Sequence, residues 1–134
     1  DLLATPLQVE LRTSLLANDG TLYTPHITNE DPKIIDKNFI SSQNIKIIKQ
    51  GLRDTVRYGS AHSLESLQIQ AAGKTGSAEF ANDKKLHGWF TGFAPYDNPQ
   101  LVITILMEES QGSQSAVPVA REFFDWYFNK NKKV

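Results

Sequence analysis

The sequence predicts an α+β fold in which an antiparallel sheet is covered by helices on both faces. Three observations predict it. Segments opening at Thr5 and at Ser41 or Ser42 carry apolar residues at helical spacing. Three extended segments follow between Gln68 and Met107, joined by connections short enough to make them antiparallel neighbours. The last of these, Leu101-Val102-Ile103-Thr104-Ile105-Leu106-Met107, is apolar on both faces, so helices are needed front and back.

With 134 residues the chain is long enough for one modest domain with its own core. A formal net charge of −1 leaves no basic excess to suggest nucleic acid as a partner. The absence of cysteine rules out a disulfide frame and a thiolate metal site. No run of about eighteen apolar residues is present, so nothing in the sequence reads as a membrane-spanning helix. The chain opens at Asp1-Leu2-Leu3-Ala4 without an initiator methionine and directly before a helix start, as expected of a piece of a longer protein. Missing targeting signals then say nothing about the parent.

Taken in order, Thr5-Pro6-Leu7-Gln8 is a helix entry. Thr5 is the N-cap, Pro6 the first helical residue and Gln8 the capping-box partner. Leu7, Leu11 and Leu15 recur on one face, and Asn18-Asp19-Gly20 stops the helix. Tyr23 to Ile27 is extended around Pro25, and Thr28 to Ser41 is expected to be a surface loop. Glu30, Asp31 and Asp36 within that loop read as solvated carboxylates rather than metal ligands. In the second helix Ile45, Ile48, Leu52 and Val56 form the apolar stripe, Lys46, Lys49, Arg53 and Arg57 lie largely outside it, and Tyr58-Gly59 ends it. Ser60 to Leu67 is expected to be a polar connector.

The first sheet strand spans roughly Gln68 to Phe80, and Ala81-Asn82-Asp83-Lys84-Lys85 loops to a second near Leu86–Ala94, closed by Pro95. Tyr96-Asp97-Asn98-Pro99 turns into the third. Glu108 and Glu109 invite an acid–base reading, but adjacent strand residues point apart and solvation explains them better. A final helix starts near Ser115, with Ala120, Phe123, Phe124, Tyr127 and Phe128 on its buried side and Lys130, Lys132 and Lys133 at its cation-favouring end. His26, His62 and His87 have no metal-ligand spacing, and His87 is expected to pack at a strand end.

The chemistry concentrates on Lys74-Thr75-Gly76-Ser77. Strand alternation sends Thr75 and Ser77 to one face and Lys74 to the other. Two orientable hydroxyls, a compact cation and a glycine that admits close backbone approach suit an extended peptide ending in a carboxylate. A lone Lys-Thr-Gly also suits a solvent-facing strand with a gatekeeper lysine and a glycine bulge.

The surroundings favour the first reading. Lys-Thr-Gly is followed by His87-Gly88-Trp89-Phe90-Thr91-Gly92-Phe93-Ala94-Pro95, then Asp97-Asn98-Pro99 and the apolar strand, and is preceded by the Thr-Pro-Leu-Gln helix. That order resembles the C-terminal part of a class B penicillin-binding protein transpeptidase domain, of the penicillin-binding protein 2 type, across nearly all of residues 1–134. The resemblance implies the penicillin-binding protein and serine β-lactamase-like fold, of which this chain is only the C-terminal part. It implies a peptidoglycan D,D-transpeptidase that crosslinks stem peptides through an acyl-serine intermediate and is acylated by β-lactams. Lys74, Thr75, Gly76 and Ser77 would bind substrate, with Lys74 and the Ser77 backbone N–H counted as catalytic and the latter as half of the oxyanion hole. No metal or organic cofactor is implied. The parent is expected at the periplasmic face of the bacterial inner membrane.

The family's nucleophile motif, Ser-x-x-Lys, is absent from the sequence, and Ser42-Gln43-Asn44 matches Ser-x-Asn only at a helix start after the Thr-Pro-Leu-Gln helix. An upstream part of the same protein is therefore expected to carry both motifs, and this chain alone should be inactive. Two alternatives are a class D β-lactamase or β-lactam sensor domain, and a non-catalytic interaction module that keeps the fold.

Overall fold

The computed structural model describes residues 3–80 and 85–130. Asp1 and Leu2, most of the expected loop before Lys85, and Lys132 and Lys133 lie outside the described residues. Among the described residues the chain runs α1 (Pro6–Ala17), β1 (Leu22–Tyr23), β2 (Ile34–Asp36), α2 (Ser42–Arg57), a 3₁₀ turn (His62–Ser66), β3 (Ala72–Phe80), β4 (Lys85–Ala94), β5 (Leu101–Ser110) and α3 (Ser113–Lys130).

α1 begins as its sequence dictates. Thr5 Oγ1 accepts from the Gln8 N–H while Gln8 Oε1 accepts from the Thr5 N–H, with Pro6 in the first turn. It ends at Asn18, where Asp19 and Gly20 take left-handed backbone angles of 52° and 95°. α2 is capped by Ser41, whose Oγ accepts from the Asn44 N–H at 3.3 Å. Ser42-Gln43-Asn44 is therefore first-turn helix.

β3, β4 and β5 form an antiparallel sheet in that order, leaving β3 and β5 as its edges. The β3–β4 register runs unbroken from Ala72↔Phe93 to Phe80↔Lys85, so no bulge interrupts the Lys-Thr-Gly stretch. The one register shift in the sheet lies between Leu86 and Gly88 against β5. One face is covered by α1. Ala17 packs with Ala72 and Phe93, and Thr13 meets Thr91 by a 2.7 Å hydroxyl hydrogen bond. The other face holds the main core, where Phe90, Ala94 and Ile103 pack with Val56 of α2, Leu64 of the 3₁₀ turn, and Val117, Ala120 and Phe124 of α3. Helices front and back are thus found as expected.

Several finer expectations change. The 28–41 loop contains β2, which pairs with β1 through Leu22↔Asp36 and Tyr23↔Ile34. β3 starts at Ala72 rather than Gln68, α3 starts at Ser113 rather than Ser115, and the 60–67 connector folds its middle into the 3₁₀ turn. Leu7 (56 % exposed) and Phe123 (41 % exposed) are not core, because both face the uncovered side of β5. Ile48 is also exposed, whereas Arg53, expected outside the stripe, is only 7 % exposed.

Candidate functional site

The site is built on the free edge of β3. α2 and the 3₁₀ turn lie along the start of that edge, where Arg53 of α2 takes the Ala71 carbonyl and Glu65 of the turn pairs with Arg53. Arg53 Nη1 donates to Ala71 O at 3.2 Å, and its guanidinium forms a two-pronged ion pair with Glu65, 2.6 and 3.0 Å long. This pairing explains how Arg53 is buried without an uncompensated charge. The hydrogen bonds from Arg53 hold the Glu65 carboxyl below its ordinary value of 4.5, with the charges of Arg53, Arg57 and His62 adding to the effect.

Further along, Lys74 Nζ donates to Thr75 O at 2.6 Å. Ala71 O and Thr75 O both face away from β4, and backbone groups alternate along a strand. The odd-numbered residues of β3 therefore present their N–H and C=O groups to the open edge, and Ser77 N–H is among them.

The predicted split of side chains is found. Lys74 lies on the α1 face opposite Thr91. There it lines a cavity of ≈ 280 Å³ with Arg12, Leu16, Ile48, Leu52 and Thr91. Thr75 and Ser77 lie on the α3 face, and each hydroxyl has a partner behind it. Thr75, 8 % exposed, shares a 2.5 Å hydrogen bond with Ser60. Ser77 Oγ accepts from the backbone N–H of Ser113, the first residue of α3, at 3.0 Å. The sequence expectations brought Lys74, Thr75, Gly76 and Ser77 together but missed Ser60 and Ser113. The only signal for Ser60 was its place directly after the Tyr58-Gly59 helix stop.

The contact to Ser113 depends on a tight crossing. Gly112 has a φ of +79°, and a Cβ at Gly88 would lie 2.0 Å from Gly112 O. Only two glycines let the β5–α3 turn settle this closely on β4. Gly76 differs: a Cβ there would meet only Trp89 Cβ, at 3.4 Å, so packing within this chain makes little demand for glycine.

Behind the site a chain of hydroxyls crosses the sheet. Thr13 meets Thr91 at 2.7 Å, Thr91 meets Thr104 at 2.9 Å, and Thr104 Oγ1 donates to Glu10 Oε2 at 2.8 Å. It ties α1 to β4 and β5. His87 packs at the strand end as expected: its ring stacks on Phe80 with centroids 3.9 Å apart, and Nδ1 accepts from the Glu109 N–H at 3.2 Å. Glu109 pairs with Lys85 at 3.3 Å. No helix among the described residues is long and apolar enough to cross a membrane.

Residues 2–125 match the model of the penicillin binding protein transpeptidase domain. The peptidoglycan D,D-transpeptidase MrdA of Haemophilus influenzae is 32% identical over 95% of this chain and 24% of its own length. Penicillin-binding protein 2 of Helicobacter pylori superposes with a TM-score of 0.83 at 31% identity, over 94% of this chain and 24% of that one. The D,D-transpeptidase domain of a peptidoglycan glycosyltransferase from Eggerthella lenta superposes with a TM-score of 0.84 at 22% identity, over 98% and 33%, a likeness of fold. The chain thus spans about a quarter of the length of the relatives it matches in sequence. Its sheet, its two covering layers and its sequence together make it a member of the penicillin-binding protein transpeptidase family.

Proposed function

We propose that this chain is the C-terminal part of a peptidoglycan D,D-transpeptidase domain and supplies its substrate-clamping strand. The observation that carries the reading is the open β3 edge, with Thr75 and Ser77 hydroxyls on one face, Lys74 on the other and Ser77 N–H directed outward. An extended peptide or a β-lactam lies along that edge as an added strand. Thr75 and Ser77 donate to its carboxylate, and Lys74 supplies positive charge. Glycine at 76 is accounted for by a ligand approaching from outside the chain.

An upstream serine then attacks the substrate carbonyl while its lysine partner takes the proton. The Ser77 N–H stabilises the oxyanion, the C–N bond breaks, and the terminal D-alanine leaves with the proton. The amine of a second stem peptide attacks the acyl-ester and releases the serine. Serine, lysine and the Ser-x-Asn motif come from the upstream part of the same protein, so this chain alone is inactive. The parent works at the periplasmic face of the inner membrane and needs no cofactor for this chemistry.

The reading is tested by intact-mass measurement of the full-length parent with benzylpenicillin. A lasting adduct of one penicillin on an upstream serine is expected, and Ser77→Pro, which removes the N–H, should slow its formation by about 10²-fold or more. Rapid turnover to penicilloate would instead make the parent a β-lactamase, and no acylation at all would make it a non-catalytic module.

A further inference from the structure

We infer that Ser60 is a positioning residue that sets the direction of the Thr75 hydroxyl, so that the site presents two hydroxyl donors already aimed at an acceptor-only ligand. The inference rests on the reading of Thr75 and Ser77 as carboxylate contacts.

The argument is a count of hydrogens. Each hydroxyl has one hydrogen to donate and can accept as well. At Ser77 the direction is fixed by a group that can only donate: the Ser113 N–H occupies the oxygen, leaving the Ser77 hydrogen for the open edge. Thr75 has the equivalent contact to Ser60, at 2.5 Å, in which either oxygen can be the donor. Ser60 and Thr75 have no other side-chain partner among the described residues. Should Thr75 donate to Ser60, only lone pairs remain to meet the ligand. A carboxylate accepts and never donates, so its arrival selects the other arrangement, with Ser60 donating and the Thr75 hydrogen free.

Ser60 is held well enough for this task. It stands between Gly59, where a Cβ would come within 2.9 Å of Thr55 O, and Ala61, which is fully buried. The Ala61 N–H donates to Thr55 O at 3.2 Å, and the Leu64 N–H to Ala61 O at 3.0 Å. Thr75 is itself stiff, being β-branched and buried, so its oxygen is fixed and only its hydrogen can rotate. The end of α2 and the start of α3 thus back the two hydroxyls from different elements.

The test is benzylpenicillin against its methyl ester, which blocks the carboxylate, on the full-length parent. Ser60→Ala should weaken the non-covalent binding constant for the acid by roughly five- to tenfold, leaving the acylation rate of the bound complex and the response to the ester unchanged. Ser60→Thr, which keeps the hydroxyl, should restore the acid. Thr75→Val serves as the control and should lower the preference for acid over ester, with Ser77 and Lys74 keeping the remainder. If Ser60→Ala changes neither ligand, or both equally, while Thr75→Val lowers the preference, Ser60 has no positioning role and the clamp stands. If Thr75→Val also leaves the preference intact, the clamp itself is misread.

Discussion

At the β3 edge two carbonyls are met by the chain's own cations, Ala71 O by Arg53 and Thr75 O by Lys74, while Ser60 meets the Thr75 hydroxyl. Along β5, at the opposite edge of the same sheet, an apolar groove of ≈ 490 Å³ runs between α1 and α3, lined by Pro6, Leu7, Val102, Ile105, Val119 and Phe123. The first edge is guarded by charge, which discourages permanent pairing while leaving room for a transient strand. The second has the composition of a core surface. On the proposed reading the two differ because one receives substrate and releases it, whereas the other is covered by the upstream part of the protein. On that reading a single sheet carries a reversible edge and a structural one.

The largest expected effect breaks this contrast on the structural side. Ile103→Asp should cost about 4 kcal/mol by burying a carboxylate with no partner, whereas Glu79→Lys on the exposed part of β3 should stay within about 0.5 kcal/mol. Urea unfolding of the full-length protein measures both, and equal costs would erase the distinction. A second change works on the reversible side. Lys74→Ala should lower the second-order rate of penicillin acylation about 100-fold with an unmoved urea midpoint. A midpoint that falls with the rate would make Lys74 part of the fold instead.

The smallest effect sharpens the description of the β3 edge where α2 meets it. Glu65→Gln should cost about 1 kcal/mol at neutral pH, since the pair is half-open to water on the Glu65 side and Arg53 keeps its bond to Ala71 O. The Glu65 carboxyl has a lowered folded value, so the pair's contribution is fully present above 4.5 and is lost as pH falls through that lower value. The stability gap between wild type and Glu65→Gln should therefore close on acidification below 4.5. A gap that widens there would mean that the carboxylate is not what holds Arg53.

What could be read from the sequence follows from how local each feature is. The α1 cap is written within four residues, from Thr5 to Gln8, and the Lys74–Ser77 split follows from strand alternation alone. Arg53 reads as lying outside the stripe because its partner Glu65 lies beyond the helix end, and a buried polar residue is interpretable only with its partner in view. Phe123 reads as buried, and Leu7 as part of an apolar face, because periodicity identifies such a face without identifying what meets it. β2 does not stand out within 28–41, since three exposed residues next to charges carry no clear period. Ser60 is illegible for the same reason as Arg53: its meaning comes from a strand that has not yet begun where it stands.

The crossing of Gly88 and Gly112 has a consequence for how this chain can drift. A side chain at Gly88 would drive the β5–α3 turn away from β4, and one at Gly112 would meet Ser77 Oγ at 2.5 Å while opposing the +79° backbone. Either change displaces Ser113 and with it the donor behind Ser77. Neither glycine can be exchanged first and compensated later, because the first step already loses the contact. Lineages that keep the hydroxyl donor must inherit both glycines together, and a variant library randomised at these two positions should return almost nothing else.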